Sequence, residues 1–153
     1  MAQAHETLVT LQQHAQQLRD KALGKVTSAE QQWQAAVHQG EQLHAYLAEH
    51  QQRFGAASGQ STTIEQLRHL QQFTLKINDA MAQQQMVVEQ HAGRVQRLRA
   101  QLQEAEQKLG AVNKLLERRR QQQSLEQLRR EQKQTDEFAS RKAWDRLHGG
   151  LGT

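Results

Sequence analysis

"RFGAASGQSTTIEQL", residues 53–67, decides the fold. It is the one interior stretch with turn chemistry, where Gly55, Gly59 and several small polar residues interrupt an otherwise helix-forming chain. Thr62, followed three positions later by Glu65, has the form of a capping box, in which two side chains satisfy free N–H groups at a helix start. One helix ends here and a second begins.

Working back from this turn, apolar or small residues fall at Leu8, Leu11, Ala15, Leu18, Ala22, Val26, Ala29, Trp33, Ala36, Gly40, Leu43, Leu47, His50 and Phe54. Steps of three and four alternate, apart from a doubled four around Ala22, a stutter that would locally unwind a supercoil. Working forward, Ile64, Leu67, Leu70, Thr74, Ile77, Met81, Gln84, Val88, His91, Val95, Leu98, Leu102, Ala105, Leu109, Val112 and Leu116 keep the same rhythm almost without fault. Heptads alone also suit parallel dimers or a larger bundle. An antiparallel hairpin demands more, because the numbers of facing residues must add to a constant. Pairing Phe54 with Ile64, Leu47 with Leu70, Gly40 with Ile77, Ala36 with Met81, Ala29 with Val88, Ala15 with Leu102 and Leu8 with Leu109 gives totals near 117 throughout. Several of these layers set a small residue against a large one, which lets two helices approach closely.

The expected fold is therefore all-α, a long antiparallel two-helix coiled-coil hairpin forming a single elongated domain over 1–153. Its parts are a helix over about 3–55, a turn over about 56–62, a helix over about 63–147 and a disordered tail over 148–153. Composition agrees. The 153 residues include no Pro, 30 Gln and only 4% aromatics, too little bulky apolar surface for a thick globular core but enough for one narrow seam. No Cys is present, which removes disulfides and thiolate metal sites. No run approaches the ~20 apolar residues of a transmembrane helix, and the opening "MAQAHETLVTLQQ" lacks the charge-then-apolar pattern of a signal peptide, so the expectation is a cytoplasmic protein without direct membrane insertion.

With that pairing Leu116 faces Met1, and the outgoing helix has nothing left to cover the residues beyond. Residues 117–147 nevertheless remain helix-forming, and they carry nine Lys or Arg against six Asp or Glu, most of the chain's formal +4. Ion pairs one turn apart, Glu126 with Arg130 and Glu137 with Arg141, are the simplest account of that charge. The uncovered Phe138 and Trp144 ask for more, and they make the segment a candidate docking surface. Phosphate contact by Arg118, Arg119 and Arg120 is conceivable, but acids are interspersed and no nucleic-acid motif appears, so no nucleic acid is expected. Catalysis finds no support. No two of the eight His are spaced i, i+4, "LGKV" at 23–26 is no phosphate cradle, and a two-helix rod offers no enclosed pocket, so neither enzyme activity, metal nor cofactor is expected.

"KQTDEFASRKAWDR", residues 133–146, resembles the C-terminal Asp-Glu-x-Ala-x-Arg region of the FliJ family of flagellar (type III) export proteins, with Asp136, Glu137, Ala139 and Arg141 in the matching places. "LQQFTLKINDAMAQQ", residues 70–84, is similar to that family's second-helix opening, although Leu67 and Leu70 stand where the family often has a Tyr. The resemblance implies a non-enzymatic, central-stalk-like component of the flagellar export apparatus. Such proteins dock with the export ATPase hexamer, promote its assembly and activity, and link it to the export-gate membrane protein and to escort chaperones of late substrates. It further implies a cytoplasmic location with peripheral association at the inner-membrane export apparatus, and roles in motility and chemotaxis. The residues expected to meet partners are Arg118, Arg119, Arg120, Arg129, Arg130, Lys133, Asp136, Glu137, Phe138, Arg141 and Trp144. Phe138, Trp144 and Arg141 would be anchors, and the other arginines would mainly orient the encounter. The rival readings are a generic coiled-coil scaffold, the stalk-like protein of a virulence secretion system, and an RNA-binding helical adaptor.

Overall fold

The computed structural model describes residues 2–57 and 63–149. Two helices account for nearly all of them: α1, Ala2–Ala57, and α2, Ile64–Gly149, packed against one another as an all-α hairpin. Both run slightly past the limits read from the sequence. The alanines after Gly55 carry α1 onward, and Arg146 and His148 complement the negative end of α2 through its last turn. Most of the expected turn, at 58–62, and Gly150–Thr153 lie outside the described residues.

α2 opens with a capping box one position later than the sequence suggests. Thr63 Oγ1 accepts from the Gln66 N–H at 3.4 Å, and the Thr63 N–H donates to Gln66 Oε1 at 3.3 Å. Consecutive Thr62 and Thr63 precede consecutive Glu65 and Gln66, so the motif can be read in two frames. Thr62 lies outside the described residues; at the other end of its frame, Glu65 sits in the first turn, where its charge favours the helix N-terminus.

The chain separates into two compact units, Met1–Ala15 with Lys108–Thr153, and Gln16–Gln107.

In the unit Gln16–Gln107 the arms are antiparallel. Arg99 Nη2 reaches Glu30 Oε1 at 2.7 Å, Gln84 Nε2 donates to the Ala36 carbonyl at 2.7 Å, and the His50 and Phe73 rings lie 4.1 Å apart. Val26, Ala29, Ala36 and Val95 are buried, all of them seam positions read from the sequence. The pairing, however, is one heptad further along than totals near 117 imply. Gly40 meets Gln84, whose Cγ is 3.7 Å from where a Cβ would stand, and not Ile77, seven residues earlier. A slip of seven preserves every apolar-to-apolar face, so periodicity cannot distinguish the two alignments. The shift leaves Ile64 and Leu67 uncovered at 72% and 48% exposure.

The stutter expected near Ala22 is also absent. Arg19 is half-buried while Leu18 is 47% exposed, so seam positions continue as Arg19, Ala22, Val26 and Ala29 without a break. An aliphatic stem at Arg19 covers the seam while its head reaches solvent and Asp20 at 2.8 Å. Keeping the supercoil phase outweighs burying one leucine.

The unit Met1–Ala15 with Lys108–Thr153 repeats that substitution. Gln12 takes the seam position in place of Leu11 and donates to Asn113 Oδ1 at 2.7 Å. Leu116 is buried, and Arg119, the next position in phase, is half-buried. From Arg120 to Gly149 every described residue is exposed, about 45 Å of uncovered helix at ~1.5 Å per residue.

Candidate docking surface

The uncovered segment begins three residues later than the expected end of cover at Leu116. Arg118, Arg120, Arg129, Arg130, Lys133, Asp136, Glu137, Phe138, Arg141 and Trp144 are all exposed; Arg119 is not, because it occupies the seam phase. Among the described residues, neither Glu126 with Arg130 nor Glu137 with Arg141 closes into an ion pair. The expected lacing of the helix is thus missing, and those guanidinium groups stay open to a partner.

Local contacts hold the two aromatic side chains in place. Lys142 Nζ lies 5.1 Å from the Phe138 ring centroid, a cation–π placement. The Trp144 and His148 rings stack at 3.9 Å with 16° between planes, and His148 Nδ1 sits 3.0 Å from the Trp144 carbonyl. Both Phe138 and Trp144 remain 61% exposed. Large side chains that are exposed yet locally ordered lose little freedom on binding.

Direction distinguishes this surface from a groove-binding helix. At about 100° per residue, Leu125, Leu147, Trp144, Phe138 and Leu128 point to roughly 0°, 40°, 100°, 220° and 300° around the axis. Arg120, Arg129, Arg130, Lys133, Arg141, Lys142 and Arg146 are equally dispersed along the same length. A partner groove reads one stripe at i, i+3, i+4 and i+7; here contact groups face every side.

A second aromatic cluster, exposed at Tyr46, lies in the unit Gln16–Gln107 and escapes the sequence reading. Phe73 packs between His50 and Tyr46, at ring-centroid distances of 4.1 and 5.9 Å. Tyr46 is 58% exposed and borders a shallow depression with Gln39, Gln42, Leu43 and Gln84. The available signal is an aromatic one residue before a seam position on each helix, Tyr46 before Leu47 and Phe73 before Thr74. Where the sequence has no Tyr ahead of the Gln-Phe element in α2, the aromatic neighbours of Phe73 come from α1.

Among the described residues no three His, Asp or Glu gather as a metal site, and no helix is long and apolar enough to cross a membrane.

A family model described as "Flagellar FliJ protein" matches residues 4–148, the hairpin and the uncovered part of α2 together. The chain belongs to the FliJ family. It is thereby a component of flagellar export, a role that for this family is non-catalytic. Searches of curated proteins and of solved structures found no match. The family match includes residues 133–146, so the exposed aromatic and cationic segment is part of the FliJ chain proper.

Proposed function

We propose that this FliJ-family chain uses residues 120–149 of α2 as an insertion element for the export ATPase hexamer, stabilising the assembled ring and raising its activity. The observation that carries this reading is the distribution of contact groups around a bare helix. Apolar and cationic side chains on all sides suit a partner that encircles the helix, and a ring of subunits provides that. Phe138 and Trp144 are the anchors, becoming desolvated in the lumen, while Arg120, Arg129, Arg130, Lys133 and Arg141 steer the encounter toward acidic walls. Asp136 and Glu137 limit the net positive charge and oppose pairing with unrelated polyanions.

The flank around Tyr46 and Phe73 is left for a further export partner, the gate protein or an escort chaperone. Association with the inner-membrane apparatus then follows from these partners and requires no membrane-inserting segment.

Co-purification with the cognate ATPase tests the reading. The full chain is expected to bind, to shift the ATPase toward hexamers and to stimulate hydrolysis. A chain ending at Arg120 keeps the hairpin and is expected to do none of these. If that shortened chain stimulates normally, the insertion role is wrong. A Tyr46→Ala chain should keep ATPase stimulation while losing its second partner.

A further inference from the structure

We propose that the hairpin formed by α1 and α2 is a two-register device, able to slip by one heptad between the observed pairing and one in which Gly40 faces Ile77. The proposal stands apart from the ATPase reading and rests on how unmet groups are distributed in the unit Gln16–Gln107. Trp33 Nε1 is buried with no hydrogen-bond partner. A buried donor without an acceptor is costly and invites an alternative arrangement. Gln84, a polar residue on the α2 seam, holds the observed register through the Ala36 carbonyl at 2.7 Å and Gln39 Oε1 at 3.3 Å. Sliding α2 by seven residues breaks those bonds and places Gln84 opposite Trp33, where the amide oxygen can accept from the indole N–H.

Apolar surface at the turn end points the same way. Leu67 lies in seam phase yet is 48% exposed, and Ile64, one position off that phase, is 72% exposed. In the slipped register Leu67 stands opposite His50 and becomes covered, and Ile64 comes beside Phe54. The opposing loss is at Leu116, buried in the observed pairing, which gives up its cover. Each register therefore leaves a few seam groups unmet that the other satisfies, while the heptad pattern fits both. The slip lengthens the uncovered part of α2 by seven residues, about 10 Å. A partner gripping that segment would select the longer form in proportion to its preference between the two.

The absence of Cys allows a clean test in the full chain. Gln32→Cys is combined with Arg94→Cys, whose parent side chains meet in the observed register, with Val87→Cys for a slip of one heptad, and with Ala80→Cys for a slip of two as control. A short thiol-to-thiol cross-linker traps each pairing, and circular dichroism verifies helix content. The Arg94→Cys combination should give the dominant product, and the Val87→Cys combination should exceed the Ala80→Cys control. Adding Leu116→Ala, which removes burial from the observed register alone, should raise the one-heptad product at least fivefold. Adding Trp33→Phe, which removes the indole donor, should lower it. If the one-heptad product equals the control with and without Leu116→Ala, or responds to neither substitution, the second register does not exist.

Discussion

Gln84 of α2 donates its side-chain amide to the backbone carbonyl of Ala36 in α1, 2.7 Å away, beside Gly40. A Cβ at position 40 meets only ordinary van der Waals contact, at 3.7 Å from Gln84 Cγ. Gln84→Ala is thus expected to lower stability by about 1 kcal/mol. Gly40→Ala should raise it by about 0.5–1 kcal/mol by removing a glycine from a helix interior. Urea unfolding followed by helix content measures both, and a stabilised Gln84→Ala protein would remove this bond from the account.

Trp33 is expected to be replaceable. Its indole N–H is buried without an acceptor, a cost on the order of 1–3 kcal/mol that Phe does not incur. Trp33→Phe should therefore match or exceed the parent thermal midpoint despite its smaller ring, whereas Trp33→Ala should fall below it.

Thr63 is the cap of α2, and its loss should be felt locally. Thr63→Ala is expected to cost about 1 kcal/mol and to speed amide exchange at Gln66, whose N–H then lacks an acceptor. Equal protection of Gln66 in both proteins would show that the first turn does not depend on this hydroxyl.

Replacing Phe138 and Trp144 together by Ala should separate folding from docking. Both are 61% exposed, so the melting curve should move little. Binding to the export ATPase should weaken at least tenfold, in the range that loss of one interface anchor causes. Raising salt should slow association of the parent chain, since its cations are solvent-facing and screened.

The Arg99 to Glu30 pair, though close, should add little. Its side chains are 59% and 37% exposed, and exposed pairs are typically worth about 0.2–1 kcal/mol. A double-mutant cycle with Arg99→Ala and Glu30→Ala should return a coupling energy in that range.

The hairpin is legible in the sequence because a seam is a phase, and phase survives in residues such as Val26, Ala29, Ala36, Val95 and Leu116. Alignment is less legible. Translating one helix by seven residues changes no phase, so Gly40 can be matched to Ile77 as well as to Gln84. Gln12 and Arg19 escape notice for a related reason. Their aliphatic stems serve in the seam, yet their residue types read as surface, and the neighbouring Leu11 and Leu18 look like the better occupants. In the uncovered segment the sequence locates Phe138 and Trp144. It does not reveal that Glu126 and Arg130 stand unpaired, since such pairs gain little over hydration. Tyr46 and Phe73 are hidden because flanking positions carry no periodic mark.

Among the described residues only five hydrophobic side chains are buried, and none of the large ones is wholly enclosed. Cohesion in this molecule is consequently granular: each layer is held by its immediate neighbours and none is a keystone. Heating should open it like a zip, from loose ends inward over a broad interval. A binding partner could likewise peel a few layers apart while the remainder stayed closed.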